Sequence, residues 1–481
     1  MKFVYQTMLL FLLVASFWAC SKDFEAINTN PNAPEQVNAQ FLLTNILWNT
    51  ANNNAVDAWN AGNFLGQLTA RTEFNEIDRW DIRTNTELWN KSYLLLNDIQ
   101  SLEQLVEDGK ASESYRGMAL VMRAFLAATL TDLWGDVPYS DAIKGRTDGN
   151  FTPNFDTQEE IYTGTNGILQ SLRDASTIFA AAANAAPVKG DIIYNGNIDQ
   201  WLRLSNSLLV RYLLRISNKM NVATELQALV TAGDLMQNNT DNGLVAYLPT
   251  APNQWFVHTI REGDYSNVRM STTIDSILSA YNDPRTPVWF KPTASSQGTG
   301  TLVYDGLPNG IGPGSLAQYN MADFSTLGNI FREQPAGVNA VLMSYSELQF
   351  ALSEAANSGL LSGSAQNYYE EGIRASFSYY NTPLPSNYLS QTGVAWNGDL
   401  SQIITQKWLA SMLVGYEGWF NYRRTGFPIL NTALDNLNNN QVPVRYRYPD
   451  TEKAVNPTNY NAAVARMGGD SYDERAWWEL P

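Results

Sequence analysis

Four carboxylates in one short segment are the first side chains in this sequence whose types and spacing could do chemistry. Glu73, Glu76, Asp78 and Asp81 lie close together in an otherwise polar and aromatic stretch. Two carboxyl groups about 5–9 Å apart across a cleft can hydrolyse a glycosidic bond, with one as acid and the other as base or nucleophile. Spacing along the chain does not fix that separation. Two interpretations therefore stay open here: a hydrolytic pair, or an acidic loop in contact with water.

Signatures of nucleophilic, metal-dependent and phosphate-binding enzymes do not occur in the sequence. It contains no G-x-S-x-G, H-E-x-x-H or G-x-x-x-x-G-K-[ST] pattern. The single histidine, His258, stands beside Trp255 and Phe256 and is expected to be structural or at the surface. The glycine-rich residues 310–314 include Pro313 and follow no predicted strand, which favours a loop over a dinucleotide site. We therefore predict no catalytic residue, no metal and no cofactor.

Aromatic residues beside polar ones in predicted loops offer a different chemistry. Aromatic rings stack on the apolar C–H faces of sugars, while amides and carboxylates form hydrogen bonds with the hydroxyls. The candidates for ligand contact are Phe74, Asn75, Arg79, Trp80, Asp81, Trp255, Trp289, Tyr304, Asp305, Tyr319 and Asn320. We expect the fold to bring these loop regions together on one exposed face. Any one of these rings, considered alone, also fits a position in the core.

Amphipathic helices form the parts of the chain that must position these loops. The S/T-x-x-E pattern of a capping box precedes a predicted helix at Thr84, Thr157 and Ser344. Pairs of helices joined by short turns, with small residues such as Gly372 on their contact faces, resemble tetratricopeptide (TPR) units. Apolar residues recur at helical spacing in residues 89–107, 115–133, 161–179, 199–218, 348–357 and 365–380.

Residues 240–340 differ from the helical segments on either side. They are rich in Gly, Pro and aromatic residues, and helical spacing is weak outside residues 273–279. A long irregular excursion within a compact protein is usually functional, and its aromatic content argues against disorder. The predicted fold class is therefore mainly α. It is a TPR-like scaffold of helical hairpins with a long aromatic, Gly/Pro-rich loop excursion that carries the binding face.

The N-terminus has the pattern of a secretion signal. Lys2 is followed by an apolar run at residues 8–19, which is too short to span a bilayer and ends immediately before the only cysteine, Cys20. A small residue before cysteine at this point is typical of a bacterial lipoprotein. We predict a signal peptide at 1–19, a lipidated tether at 20–40 and a single domain at 41–481. Within that domain, helices are expected mainly in 41–220 and 341–425, with the loop-rich binding region at about 240–340.

Composition limits the partners of this chain. Its 481 residues carry 31 Lys and Arg against 47 Asp and Glu, a net charge of −16, so a nucleic-acid partner is not expected. One Cys and one His exclude an internal disulfide and a zinc site of clustered Cys and His. The alternative to a lipid anchor is a soluble secreted protein whose cysteine is incidental.

Several short segments along the whole chain resemble one known family. They are CSKDFE (20–25), NPNAP (30–34), DLWGDVPY (132–139), DPR (283–285), GLPNG (306–310), YSELQFALSEAA (345–356), GWFNYRRTGFP (418–428), RYP (447–449) and NPTNY (456–460). In this order they resemble the SusD/RagB family of nutrient-binding outer-membrane lipoproteins of Bacteroidota, in its SusD-like second group. The resemblance implies scaffold roles for Trp134, Arg423 and Arg424, and no ligand residue is carried over from it.

The resemblance also implies a function. It indicates a surface-exposed lipoprotein that acts as a lid on a SusC-like TonB-dependent barrel and captures ligands without catalysis. The sequence thus favours an oligosaccharide-binding protein that is anchored through Cys20 and delivers its ligand to such a transporter. Three alternatives stay open: a peptide-binding member of the same family, a secreted glycoside hydrolase, and a purely structural cell-surface lipoprotein.

Overall fold

Helices dominate the structure, a computed structural model that describes residues 38–183 and 185–479. The predicted signal peptide, Cys20 and residues 21–37 of the predicted tether lie outside the described residues. The longer helices are α1 Ala39–Asp57, α2 Thr86–Glu107, α3 Glu113–Trp134, α4 Ile168–Ala181, α5 Ile198–Arg215, α6 Ala223–Ala232, α7 Thr272–Ala280, α8 Tyr345–Asn357, α9 Ala365–Tyr379, α10 Leu400–Leu409, α11 Glu417–Thr425 and α12 Pro457–Met467. Shorter helices are Asn63–Leu65, Gly145–Asp148, Gln158–Thr163, Glu262–Ser266, Thr286–Trp289, Pro313–Leu316 and Asp450–Val455, and a π-helical turn at Ala58–Gly62 extends α1.

Short antiparallel strand pairs attach the loop-rich region to the helices. The strands are β1 Thr69–Arg71, β2 Val137–Pro138, β3 Phe155–Asp156, β4 Gly243–Ala246, β5 Val268–Met270 and β6 Asn339–Met343. β1 pairs with β5, β2 with β3 and β4 with β6. Gly243 lies opposite Met343, so β4 and β6 close the base of the loop excursion where it leaves and rejoins the scaffold. The β1–β5 pair then fixes the interior of the excursion to the segment that follows α1, with Thr69 opposite Met270.

The helices pack as successive layers, which confirms the predicted TPR-like scaffold. α1 packs on α2, α2 on α3, α3 on α4, α4 on α5, α5 on α8, and α8 on both α9 and α10. Glycines permit two of the closest approaches. A Cβ atom on Gly372 of α9 would lie 2.7 Å from the ring of Phe350 on α8, and one on Gly117 of α3 would lie 2.6 Å from the ring of Phe179 on α4. Small residues against large rings therefore set the spacing of these helices.

Buried ion pairs join the helical layers. Arg211 on α5 donates two hydrogen bonds of 2.6 Å to the carboxylate of Glu347 on α8. Arg215, one turn later, donates to Asp132 at 2.8 Å and to Glu417 at 2.8 and 2.7 Å. All of these side chains are buried, so each charge depends on its partner to offset the loss of water. The pairs fix α3, α5, α8 and α11 relative to one another.

Helix α3 is, by length and composition, apolar enough to cross a membrane. In the fold, 83% of the most apolar 18-residue stretch of this helix is buried. Trp134 at its end is also fully buried, and its indole N–H donates to the carbonyl of Arg447 at 3.0 Å. The described part of the chain therefore uses α3 as a core helix.

Two predicted helices differ from the structure, one by a break within it and the other in its capping residue. The single helix predicted at 161–179 is two helices, Gln158–Thr163 and α4, because Gly164 ends the first and Gly167 caps the second. The capping box at Thr157 is present, with reciprocal bonds to Glu160. At α2 the cap is Asn85, which accepts a hydrogen bond from the backbone N–H of Leu88, in place of the predicted Thr84. Asn at this position caps at least as well as Thr, so the helix begins one residue later.

Candidate functional site

Two loops that are far apart in sequence lie against each other beside the β1–β5 pair. The first, residues 72–85, leaves β1, and the second, residues 304–325, lies within the excursion. The side-chain amide of Asn75 donates to the carbonyl of Ile311 at 2.6 Å. Ala70, Leu307 and Ile311 form a small apolar cluster beneath the contact. The fold therefore brings together the two regions that carry most of the predicted ligand residues.

A buried carboxylate holds this contact together. Asp78 is 1% exposed and accepts hydrogen bonds from the side-chain amide of Asn309 at 2.6 Å and the backbone N–H of Gly310 at 2.9 Å. It also accepts from the backbone N–H of Arg71 at 3.1 Å. Burial raises the pKa of Asp78 to about 6, because the three hydrogen bonds only partly replace lost hydration. Gly310 has φ +73°, a backbone conformation that favours glycine, and this turn aims its N–H at Asp78.

A third segment, residues 429–440, joins both loops. The backbone N–H groups of Leu434 and Asp435 donate to the carbonyls of Asn309 and Gly310 at 2.8 and 3.0 Å. The Asp435 carboxylate accepts from the N–H of Gly312 at 2.8 Å. Arg79 joins the first loop to this third segment. Its side chain donates to the carbonyl of Asp435 at 3.0 Å, and its backbone carbonyl accepts from the N–H of Leu437 at 2.7 Å. We call residues 72–85, 304–325 and 429–440 together the three-loop face.

The three-loop face exposes one aromatic ring and several apolar side chains. Phe74 is 71% exposed, and its backbone adopts φ +50°. Leu434 and Leu437 are about half exposed. Tyr319 is half-buried and packs on Phe324 with ring centroids 5.7 Å apart. Such a surface offers apolar contact on a base that hydrogen bonds already hold in place.

The predicted tryptophans lie in the interior. Trp80 is 2% exposed, and Trp255 and Trp289 are fully buried. The indole N–H of Trp255 donates to the carbonyl of Phe331 at 3.0 Å, and Trp289 packs edge-on to Tyr380 with centroids 5.0 Å apart. Their rings offer no free face to a ligand in this structure. The expectation that these indoles form the stacking platform is corrected accordingly, because long-range packing covers rings whose sequence neighbours are polar.

The remaining predicted ligand residues differ in their exposure and in whether their polar atoms already form hydrogen bonds. Asp305 and Asn320 are exposed, and Tyr304 is half-buried. Asn75 is buried, and its amide is used in holding the loops together. Asp81 accepts a hydrogen bond of 2.9 Å from Arg83. Asn320 accepts from the backbone N–H of Ala322 at 3.3 Å and so stabilises its own turn.

The four carboxylates considered for hydrolysis have different environments. Asp78 is inaccessible and its lone pairs are used by three donors, so it lacks contact with any substrate. Asp81 is paired with Arg83, Glu73 accepts from the side chain of Asn267 at 3.3 Å, and Glu76 is exposed. His258 lies beside the carbonyl of Arg332 at 2.8 Å. No group of three or more His, Cys, Asp and Glu side chains among the described residues is placed to hold a metal ion.

Sequence reasoning missed the third segment of the face. The Asn-rich composition of residues 429–440 indicates only a loop within a packed closing tail. The segment also contains apolar residues, of which Ile429, Leu434 and Leu437 are exposed. Exposed apolar residues set in a polar loop are the signal that could have pointed to a contact surface.

Comparison with known proteins identifies the family. A family model of the SusD-like type, described as starch-binding associating with outer membrane, matches residues 31–449. This chain belongs to the SusD-like family. The SusD-like family is associated with the outer membrane in Bacteroidota, and its members are binding proteins. No curated protein matches the chain in sequence.

Solved SusD-like structures match this fold over most of the chain. An outer membrane protein of Bacteroides vulgatus, whose description relates it to nutrient binding, is 26% identical with a TM-score of 0.82, over 92% of this chain and 100% of the other. A SusD homologue of Bacteroides fragilis is 29% identical with a TM-score of 0.80, over 92% and 99%. A chitin-binding protein is 25% identical with a TM-score of 0.77, over 92% and 99%. The SusD-like fold of this chain is thus shown.

Proposed function

We propose that this protein captures oligosaccharides on the three-loop face and delivers them to a SusC-like TonB-dependent barrel. Membership of the SusD-like family and the similarity to a chitin-binding protein support a carbohydrate ligand. The protein works without catalysis, as membership of a family of binding proteins supports. Cys20 is lipidated and holds the domain at the outer surface of the cell.

One observation carries this proposal: the three-loop face joins remote segments into one preorganised surface. Phe74 projects from a loop that Asn75 and Asp78 fix to residues 309–311. A ligand that binds there meets groups already held in place, so little ordering entropy is lost on binding. Phe74, Tyr319, Asn320, Tyr304 and Asp305 are the proposed contacts. The phenyl and phenol rings stack on sugar faces, and the polar groups form hydrogen bonds with hydroxyls.

The experiment that tests the proposal compares two exposed phenylalanines. Phe74→Ala is predicted to weaken binding of chitohexaose or maltoheptaose roughly 30-fold, since truncation of a binding hot spot costs about 2 kcal/mol or more. The matched control is Phe151→Ala, because Phe151 is 76% exposed and lies outside the three-loop face. Calorimetric titration measures the affinity of each variant, and a thermal melt checks that each is folded. If wild type binds one of these oligosaccharides and Phe74→Ala binds it with equal affinity, the proposed face is contradicted.

A peptide ligand is the second candidate function, and the half-exposed leucines of the face favour it. Leu434 and Leu437 lie on the segment bonded to Asn309, Gly310 and Arg79. Aliphatic side chains pack well against apolar peptide side chains and less well against flat sugar faces. The same titration with an apolar-rich peptide separates the two functions. Binding of peptide that Leu434→Ser and Leu437→Ser abolish, without any oligosaccharide binding, would select the peptide function.

The partner and the anchor are tested in the native membrane. A lid must cover its barrel over a broad surface and open again, so capture is coupled to lid motion. Extraction in mild detergent is expected to bring down a TonB-dependent barrel with the protein. Cys20→Ala is expected to release the protein from the outer-membrane fraction, because the acyl chains supply the membrane affinity. Full retention of the Cys20→Ala protein would contradict the lipid anchor.

A further inference from the structure

A polar groove runs between helices α1 and α2, away from the three-loop face. Its volume is 440 Å³, which lies within the range of about 300–1,000 Å³ of small-molecule sites. None of its lining residues belongs to the three loops. They are Asn45, Asn49, Asn52 and Asn53 on α1, and Lys91, Leu94, Leu95 and Asp98 on α2.

The four asparagines form a continuous stripe along α1. Positions separated by three, four and eight residues share one face of an α-helix, so all four amides point toward the same side. Asparagine is a poor residue for a helix interior, because its side chain competes with backbone hydrogen bonds. Helix propensity therefore does not account for the stripe. The stripe therefore marks this face of α1 as a candidate for polar contacts.

Existing hydrogen bonds orient some of these amides and leave others available. Asn45 donates to Asp98 at 2.9 Å, and Asn49 donates to the side-chain oxygen of Asn45 at 2.8 Å. Asn52 accepts from the hydroxyl of Tyr247 at 3.0 Å. The side chain of Asn53 makes no hydrogen bond within residues 38–183 and 185–479. The Asn49 oxygen, the Asn52 nitrogen and both polar atoms of Asn53 thus remain free to bind a ligand.

The α2 side of the groove adds apolar contact and balanced charge. Leu94 is 65% exposed at the rim. Lys91 pairs with Glu87 at 2.6 Å, and Asp98 is bonded to Asn45. A ligand with net negative charge would be opposed by Asp98, and a cation by Lys91. A hydroxyl group both donates and accepts, so a chain of neutral hydroxyls matches single donors and acceptors placed side by side.

We propose that the α1–α2 groove is a second site for neutral oligosaccharides. The proposal rests on the proposed carbohydrate-binding function, and it assigns a separate location to a second ligand chain. An extended peptide can also pair with these amides through its N–H and C=O groups, and the exchange experiment below distinguishes that ligand from a sugar chain.

Titration of the purified protein with chitohexaose and maltoheptaose tests this site. Wild type is expected to show two binding events with at least one of these ligands. In the double variant Asn49→Ala/Asn53→Ala, the affinity of one binding event is expected to fall at least tenfold. The affinity of the other event is expected to stay unchanged. Asn97→Ala is the matched control, because Asn97 is exposed on α2 and does not line the groove. Leu94→Asp provides an independent variant from the opposite wall, and thermal melts confirm that each protein is folded.

Hydrogen–deuterium exchange then locates each event. Oligosaccharide is expected to protect residues 39–57 and 86–107 in the wild type and in Phe74→Ala, and not in the groove variants. A single oligosaccharide-binding event that only Phe74→Ala removes, with no protection of residues 39–57 and 86–107, would overturn the second site. The proposed three-loop face would then stand. Loss of all binding in the groove variants, with Phe74→Ala unaffected, would support the groove and overturn the three-loop face. Protection of the helices by an extended peptide alone would overturn the assignment to oligosaccharide.

Discussion

The side-chain amide of Asn75 donates a hydrogen bond of 2.6 Å to the backbone carbonyl of Ile311, a residue 236 positions later in the chain. This bond, together with those of Asp78 to Asn309 and Gly310, makes one structural unit of two loops. Because these hydrogen bonds fix the two loops to each other, the backbone positions that carry the proposed contact residues are set without a ligand. The proposed capture of oligosaccharides depends on that preorganisation.

Asp78 gives the three-loop face a pH dependence with a definite sign. The pKa of Asp78 is raised from 3.8 to about 6 by burial, so the folded state holds its proton at a higher pH than the unfolded state. Stability therefore falls as pH rises from about 4 to about 6, by roughly 3 kcal/mol for this group. Asp78→Asn removes the titration. Denaturant unfolding at pH 4 and pH 7 is expected to show wild type losing stability relative to Asp78→Asn as pH rises; a relative gain would contradict the raised pKa.

Trp80→Ala is expected to destabilise the fold. The ring of Trp80 is 2% exposed, and truncation of a buried aromatic costs about 3–5 kcal/mol. Thermal and denaturant melts measure the effect, with Phe74→Ala as the comparison because its ring is largely exposed. Weakened ligand binding by Trp80→Ala with an unchanged melt would show that this indole contacts the ligand after all.

Gly372→Ala tests the packing of the TPR-like layers. The new methyl group would lie 2.7 Å from the ring of Phe350, and overpacking of this kind costs about 1–3 kcal/mol. Gly263→Ala is the matched control, because no atom lies within 4 Å of the position its methyl group would take and its φ is not in the left-handed region. The melting temperature of Gly372→Ala is expected to fall while that of Gly263→Ala holds or rises. Equal melts of the two variants would mean that α8 and α9 can move apart freely.

The pair of Arg211 and Glu347 tests the buried ionic connection between α5 and α8. Glu347→Leu leaves the Arg211 charge buried without its main partner, at an expected cost of about 3–5 kcal/mol. The double variant Arg211→Met/Glu347→Leu removes both charges and is expected to recover most of that loss. Chemical unfolding of the single and double variants measures the coupling. A single variant as stable as wild type would show that this pair contributes little to the fold.

The helical scaffold could be predicted from the sequence because the spacing of apolar residues and the capping residues lie within each helix. The spacing of apolar residues in 89–107 anticipated α2 to within three residues at its start, and the box at Thr157 is formed as expected. The one break that was missed, at residues 164–167, depends on two glycines three residues apart. Small residues on the contact faces, such as Gly372, pointed to the TPR-like packing that the structure has.

The candidate site was predicted only in part because its geometry is set by contacts distant in sequence. Polar neighbours made Trp80 look like a surface residue, yet the tertiary fold covers it. The joining of residues 72–85 to 304–325 follows from the pairing of β1 with β5, which no local pattern specifies. The contribution of Leu434 and Leu437 depends on backbone bonds to Asn309 and Arg79, more than a hundred residues away.

A crystal structure of the protein with bound chitohexaose or maltoheptaose would locate the ligand site without recourse to variants. We expect a sugar ring in contact with Phe74, with further contacts from residues 304–325 and 429–440 and little movement of the loops beneath. A sugar chain bound elsewhere, with Phe74 still facing solvent, would contradict the assignment of the three-loop face as the ligand site.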